Sequence, residues 1–244
     1  MRRITWLGHA TVLIEAGGAR LLTDPVLRGR VGHLRRHGPV PAAIGAVDGV
    51  LISHVHRDHL DRPSLRTLAG PQTAAVIPRG ATRMLHGLPF GAVHEVATGE
   101  ELELGGARVR VVPAWHPARR GPRSPRLDAL GFVVDGVWFA GDTDFDPQME
   151  ELRGSVEIAL VPIWGWGPSL GPGHLDPASA ARAVALVAPQ VAIPIHWGTF
   201  LPLGTHRRHR EVLSAPAQSF ADQVARAAPA VRVVTLAPGE ALAL

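Results

Sequence analysis

The sequence predicts an α/β fold, and two observations carry that expectation. Apolar runs of strand length alternate with segments that carry helix-start signals. The runs come in groups ahead of the helices, in two similar halves, which fits two sheets with helices outside them. A third observation concerns chemistry: His and Asp residues stand where several of these runs end.

Each element follows from local pattern. Residues 4–7, 11–16 and 20–23 read as three short strands, with Gly17-Gly18 as a hairpin turn between the last two. Residues 28–43, rich in Gly, Pro and Arg, read as a loop. Residues 48–53 form a strand, and Asp61 caps a helix to about residue 69, with Pro63 in its first turn. A strand at 73–77 and a short helix at 81–86 follow. Residues 101–112 hold two strands around Gly105-Gly106, and 130–134 pairs with 137–140 around Asp135-Gly136. Asp146-Pro147 opens a short helix before a strand at 156–161. Asp176-Pro177 opens a longer helix, with Asp as N-cap and Pro at the first helical position. A strand at 191–195, a helix at 216–227 and a last strand at 231–236 complete the chain.

Composition is consistent with one catalytic domain over residues 1–244. A hydrophobic content of 46% supports a sizeable core. No apolar run approaches the ~20 residues that span a bilayer. Met1-Arg2-Arg3 leads straight into a strand without a signal-peptide pattern, so the expected location is cytoplasmic. There is no Cys, which excludes disulfides and thiolate metal sites. The pI of 11.1 does not indicate a nucleic-acid partner. Net charge is only +4, and every basic residue is Arg, so little titrates between neutrality and the guanidinium range.

The chemistry concentrates at residues 54–59, His-Val-His-Arg-Asp-His. Three imidazoles and a carboxylate packed this closely are costly without a partner, and a metal ion supplies one. His116, Asp142 and His196 each follow a further apolar run, at strand-to-loop junctions. Five His and two Asp exceed what one four-coordinate ion needs and suffice for two. One partition gives His54, His56 and His116 to a first ion and Asp58, His59 and His196 to a second, with Asp142 bridging.

The pattern His54-x-His56-x-Asp58-His59, then His116, Asp142 and His196, resembles the metallo-beta-lactamase superfamily. Further segments resemble one branch of it, containing N-acyl-phosphatidylethanolamine-hydrolysing phospholipase D and the ascorbate-phosphate lactonases. These are Thr5-Trp6-Leu7-Gly8-His9-Ala10-Thr11, Leu22-Thr23-Asp24-Pro25, Gly141-Asp142-Thr143, His174-Leu175-Asp176-Pro177 and Ile195-His196-Trp197-Gly198-Thr199-Phe200. The resemblance spans about residues 4–200. It implies a four-layer αββα sandwich with two metals at one edge of the sheets.

The expected function is a dinuclear metal-dependent hydrolase using a metal-bridging hydroxide, with Asp58, Asp142 and His174 in catalysis. The expected ions are zinc, with manganese or iron as alternatives. Ligating His is neutral, so two divalent ions and two carboxylates leave about +2, which favours a small anionic substrate of phosphodiester type. A metal-dependent lactonase is the alternative, and an iron oxidoreductase on the same fold is a further one. His56 stands where flavodiiron-type proteins carry a carboxylate, which argues for hydrolysis.

Other residues have two readings. His174 is a substrate contact or proton donor, or a loop His with a backbone partner. His9 is structural or supports the ligands. Asp24 orients a ligand His or forms an Asp-Pro turn. The Arg-rich stretches (Arg28, Arg30, Arg35, Arg36; Arg119, Arg120, Arg123, Arg126; Arg207, Arg208, Arg210) are a solvated surface or the rim of an anion site, with Arg120 and Arg208 as candidate substrate contacts. Trp164, Trp166 and Trp197 are core packing or an apolar wall.

Overall fold

The computed structural model describes residues 1–119, 121 and 126–244. β1 (Arg3–Trp6), β2 (Val12–Ala16) and β3 (Ala19–Thr23) form an antiparallel meander. β4 (Arg30–Val31) and β5 (Leu34–Arg36) make a short hairpin. β6 (Gly49–Leu51) runs parallel to β3 and precedes the His-rich segment and helix α1 (Arg62–Leu68). β7 (Ala74–Pro78) and β8 (Ala92–Val96) extend the first sheet in parallel.

The second half begins with β9 (Glu101–Leu104), β10 (Ala107–Arg119), β11 (Arg126–Val134) and β12 (Val137–Phe139), all antiparallel neighbours. β13 (Ile158–Pro162), helix α2 (Pro177–Val187) and β14 (Val191–Ile195) add parallel strands. β15 (Phe200–Pro202), α3 (His206–His209), α4 (Ala215–Ala227), β16 (Arg232–Val233) and β17 (Ala241–Ala243) follow. The strand orders are β17-β1-β2-β3-β6-β7-β8, β16-β14-β13-β12-β11-β10-β9 and β15-β5-β4.

The burial pattern gives the layers. Ile4, Ile14, Leu21 and Val76 of the first sheet pack against Val109, Phe132, Phe139 and Leu160 of the second. The opposite face of the first sheet, including Leu22, Val50 and Ile77, packs on Leu65 of α1. The opposite face of the second, including Trp138, Ala159 and Val161, packs on α2 and α4 through Val184, Phe220 and Val224. This is the αββα sandwich. The helix starts follow their caps: Asp61 accepts from the Ser64 amide, and Asp176 and Ser179 form a reciprocal capping box.

Several expectations need correction. Residues 28–43 are not all loop, since they carry β4 and β5, which pair with each other, and β5 also pairs with β15. Leu34 and Arg36 face inward while Arg35 faces solvent. Arg36 is buried because its guanidinium donates to the carbonyls of Leu7, Val26 and Arg28 and stacks over Phe200. The expected helix at 81–86 is a 3-10 turn, Thr82–Leu85, and the one at Asp146-Pro147 is Pro147–Leu152, also 3-10. The last strand shrinks to Arg232–Val233, and Ala241–Ala243 instead closes the first sheet. His116 does not stand at a strand end. It lies within β10, at a register shift between Ala114 and Ala118. Arg120 and Arg123 lie outside the described residues.

Candidate metal centre

One edge of the sandwich collects the His and Asp side chains. β1, β3, β6, β10, β12 and β14 end toward it, and the loops beyond them carry His9, Asp24, His54 to His59, Asp142 and His196. Open α/β sheets place ligand sites beyond the carboxyl ends of their strands for this reason. Gly141 adopts φ +65°, and a Cβ there would meet the Leu130 carbonyl at 2.7 Å. Only glycine fits the backbone that delivers Asp142.

Ligand-type atoms converge in overlapping groups: His54, His56 and His116; His9, Asp58, His59 and His196; His116, Asp142 and His174. His56 Nδ1 lies 3.0 Å from both His54 Nε2 and His116 Nε2. His59 Nε2 and His196 Nε2 are 3.1 Å apart. Asp142 lies between the groups, with Oδ1 3.1 Å from His196 Nε2 and Oδ2 3.2 Å from His59 Nε2 and 3.9 Å from His54 Nε2. Asp142 Oδ1 is buried and accepts no hydrogen bond.

The outer nitrogens explain why these rings face inward as they do. His59 Nδ1 donates to Asp24 at 2.7 Å, His116 Nδ1 to the Gly173 carbonyl at 2.7 Å, and His196 Nδ1 to the Trp164 carbonyl at 2.7 Å. His54 Nδ1 donates to Ser53 Oγ at 2.9 Å, which in turn donates to Asp24. Neutral imidazole carries one N–H, so in all four the Nε2 lone pair is turned to the centre. The His59 and His196 Nε2 lone pairs, facing each other at 3.1 Å, repel unless a cation or a proton stands between them. His56 is turned the other way: Nδ1 faces inward and Nε2 lies 3.3 Å from the Arg119 amide. Ligation through Nδ1 moves its proton to Nε2 and gives up that long contact.

Electrostatics follow the same geometry. Burial would raise both carboxyls, but His59 and His9 beside Asp58, and His196, His59 and His174 around Asp142, hold both well below the usual carboxylate value. Burial lowers His54 far below the ordinary imidazole value, and His116 to about 4. His59 moves the opposite way: burial opposes its proton, yet Asp142, Asp24 and Asp58 together raise it well above 6.5. With only protons available, the cluster balances its carboxylates on His59. Divalent ions among the same atoms balance them with more charge and satisfy the converging lone pairs as well. The donor set of imidazoles and carboxylates thus fits borderline metals such as zinc, manganese or iron.

Of the two readings of Asp24, its contacts to Ser53 and His59 match the carboxylate that orients a His. His9 is closer to the centre than a purely structural role requires. Its Nε2 lies 3.2 Å from Asp58 Oδ2, its ring is 4.0 Å from that of His196, and its carbonyl accepts the His196 amide. His9, Asp24 and His196 all take positive φ (54°, 34°, 61°), a strained conformation for residues with a Cβ. His174 has the backbone partner of its loop reading, with Nδ1 3.2 Å from the Gly171 carbonyl, and its Nε2 lies 3.5 Å from Asp142 Oδ2. Burial lowers its pKa, but Asp142 more than compensates and raises it.

Among the Trp residues, Trp166 donates to Asp58 Oδ2 at 3.1 Å, whereas Trp197 stacks on Trp6 inside the molecule. Arg28 is spent on the α1 cap Asp61 and Arg36 on backbone carbonyls, so neither faces the centre as an anion ligand. Arg208 is exposed on α3. A cleft of about 660 Å³ opens beside His116, lined by Trp115, Pro117, Asp144 and Gly173 among others. No described helix is long and apolar enough to cross a membrane.

Known proteins resemble the chain in sequence and in fold. The family model for the beta-lactamase superfamily domain matches residues 19–197. A UPF0173 metal-dependent hydrolase of Methanopyrus kandleri is 34% identical over 254 residues, covering 98% of each chain. An N-acyl-phosphatidylethanolamine-hydrolyzing phospholipase D of Caenorhabditis elegans is 31% identical over 238 residues, covering 85% of this chain and 66% of that one. The fold is shared with Igni18, a metallo hydrolase of Ignicoccus hospitalis, at a TM-score of 0.72 and 20% identity, over 99% of this chain and 97% of that one. With its His and Asp donors gathered at the sheet edge, the chain belongs to the metallo-beta-lactamase superfamily, among the UPF0173 metal-dependent hydrolases.

Proposed function

We propose that this hydrolase is dinuclear and acts on a small anionic substrate of phosphodiester type. His54, His56 and His116 hold one ion, Asp58, His59 and His196 hold the other, and Asp142 bridges them. The observation that supports this most strongly is the buried, unpartnered Asp142 Oδ1 among inward-facing imidazole nitrogens. Zinc suits this donor set, with manganese or iron as alternatives. When bound, the ions supply a hydroxide nucleophile near neutral pH and positive charge for the developing oxyanion.

The chain's own residues do the rest. Asp24, Ser53 and the carbonyls of Gly173 and Trp164 fix the ring orientations. Trp166 and His9 fix Asp58 by donating to its Oδ2. His174 is placed to hand a proton from Nε2 to the leaving oxygen, since it is the His beside Asp142 that retains a quarter of its side-chain exposure. The cleft beside His116 offers a path of approach.

The anion preference rests on the residual charge of about +2 left by two carboxylates and two divalent ions. The test compares hydrolysis of a phosphodiester and of an uncharged lactone of similar size, at low and high salt. The phosphodiester should be cleaved faster, with an advantage that shrinks with salt. Faster cleavage of the lactone, without salt sensitivity, favours the lactonase reading instead.

A further inference from the structure

The third sheet carries a charge pattern that the metal centre does not use. Residues 25–47 and 199–210 contain seven Arg and four His and no Asp or Glu. Arg30 and Arg35 are cross-strand partners on the β4–β5 hairpin, and both are exposed. Like charges directly opposite in a sheet repel and cost stability. The Arg30 guanidinium spends only Nε, on the Gly32 carbonyl, and the Arg35 guanidinium has no hydrogen bond or ion pair among the described residues. His37, two residues beyond Arg35 and so on the same face, stacks on His206 of α3, with ring centroids 4.4 Å apart and planes 6° from parallel.

This face is contiguous with the metal centre. His33, at the hairpin turn, packs edge-on against Trp166 with centroids 5.2 Å apart, and Trp166 donates to Asp58. On the inner side, Phe200 of β15 packs edge-on against His9 at 5.1 Å. A row of Arg and His side chains therefore leads away from the second-ion side of the centre. Arg forks and imidazole N–H groups match the oxygens of a phosphate group, and its negative charge offsets the Arg30–Arg35 repulsion.

We propose that Arg30, Arg35, His37 and His206 form a phosphate-binding platform that holds a phosphate of a soluble substrate remote from the bond being cleaved. The link to substrate rests on the hydrolase reading above; the binding of phosphate does not.

The test follows the His37 and His206 ring protons by NMR in the zinc-loaded protein during titration with inorganic phosphate. The signals are assigned with the single variants His37→Gln and His206→Gln. Both rings should shift saturably, and Arg35→Gln should weaken the affinity at least about tenfold, as expected for a lost charge-assisted pair. Arg35→Lys should fall between, because it keeps charge but loses the fork. Arg35 and His206 are exposed and His37 is half-buried, and unchanged far-ultraviolet dichroism checks that the fold is intact. Absence of saturable shifts, or equal affinity in Arg35→Gln, overturns the platform. Shifts produced by phosphatidylglycerol vesicles but not by inorganic phosphate also overturn it, in favour of a membrane surface. Failure of turnover on phosphodiesters, with the NMR response intact, counts against the hydrolase reading alone.

Discussion

Replacing Asp24 by Asn tests how the centre is held together. Asp24 is fully buried and accepts three hydrogen bonds: Oδ1 from the Ser53 amide at 2.7 Å, and Oδ2 from Ser53 Oγ at 2.5 Å and His59 Nδ1 at 2.7 Å. Asn is the mildest change, because it keeps the shape and tolerates the positive φ of 34°. It has one acceptor where the carboxylate has two. If the amide nitrogen takes the Oδ1 position, it faces the Ser53 N–H, two buried donors in opposition. If it takes the Oδ2 position, it donates to His59 Nδ1 and forces that ring's proton onto Nε2, the atom turned to the centre.

Either orientation is costly. A hydrogen bond to a charged group contributes about 1.5–3 kcal/mol, and a buried donor left unpaired costs about 1–3 kcal/mol. Asp24→Asn should therefore lower unfolding free energy by about 2–4 kcal/mol. The second orientation should also weaken metal at the His59 site by about 10–100-fold, as expected when the group orienting a ligand His is removed. Urea denaturation measures the first effect and metal competition against a chromophoric chelator the second. A variant within about 0.5 kcal/mol of the parent, with both metal affinities unchanged, would refute this account of Asp24.

Elemental analysis should find two ions per parent chain. Asp58→Ala should retain one, with turnover falling far more than stability; full turnover under limiting metal would reject its ligand role. Gly173→Ala should displace His116, because Gly173 has φ +82° and a Cβ there would stand 2.5 Å from Pro117 Cδ and 2.9 Å from His116 Nδ1. The expected result is a loss of about 1–3 kcal/mol and weaker metal at the first site, read by melting with and without chelator. Burial opposes the Asp176 charge, but Ser179 and the backbone amides of the α2 first turn outweigh it and lower its pKa below 3.8. A depressed carboxyl contributes stability that is present above 3.8 and lost as pH falls through its folded value. Asp176→Ala should cost about 1 kcal/mol at neutral pH, and the difference from the parent should shrink at acid pH.

How much was legible in the sequence depended on length and regularity of signal. The gathering of the seven proposed ligands was, because their spacing and their places after apolar runs mark them, and the fold brings their donor atoms into groups that also include His9, Asp24 and His174. The capped helices were legible because Asp61 and Asp176 precede Pro-containing first turns. The third sheet was not. Its strands are two or three residues long, too short for an alternation of period two to register. The apolar run before His116 stops at Ala114, but backbone pairing resumes at Ala118 opposite Leu127, so the strand continues past a bulge that composition conceals. His9 gave little local signal, a His between Gly8 and Ala10 within a segment that carries the family resemblance. Its contact with Asp58 depends on a left-handed turn and on a carbonyl hydrogen bond from His196, nearly two hundred residues away.

That long-range contact points to a property of the whole centre. His54, Asp58 and His59 hang from the first sheet through β6, while His116, Asp142 and His196 hang from the second through β10, β12 and β14. In the proposed assignment each ion takes ligands from both sheets. Metal binding is therefore linked to sheet docking. An ion at a hundred times its dissociation constant adds about 2.7 kcal/mol to folding, provided it binds the native state alone. The converse also holds. The buried carboxylates and facing imidazole lone pairs are least favourable when the sheets are fully closed with no cation between them. The apolar interface of Ile14, Val109, Phe132 and Leu160 brings the sheets together, and the centre makes that closure depend on charge.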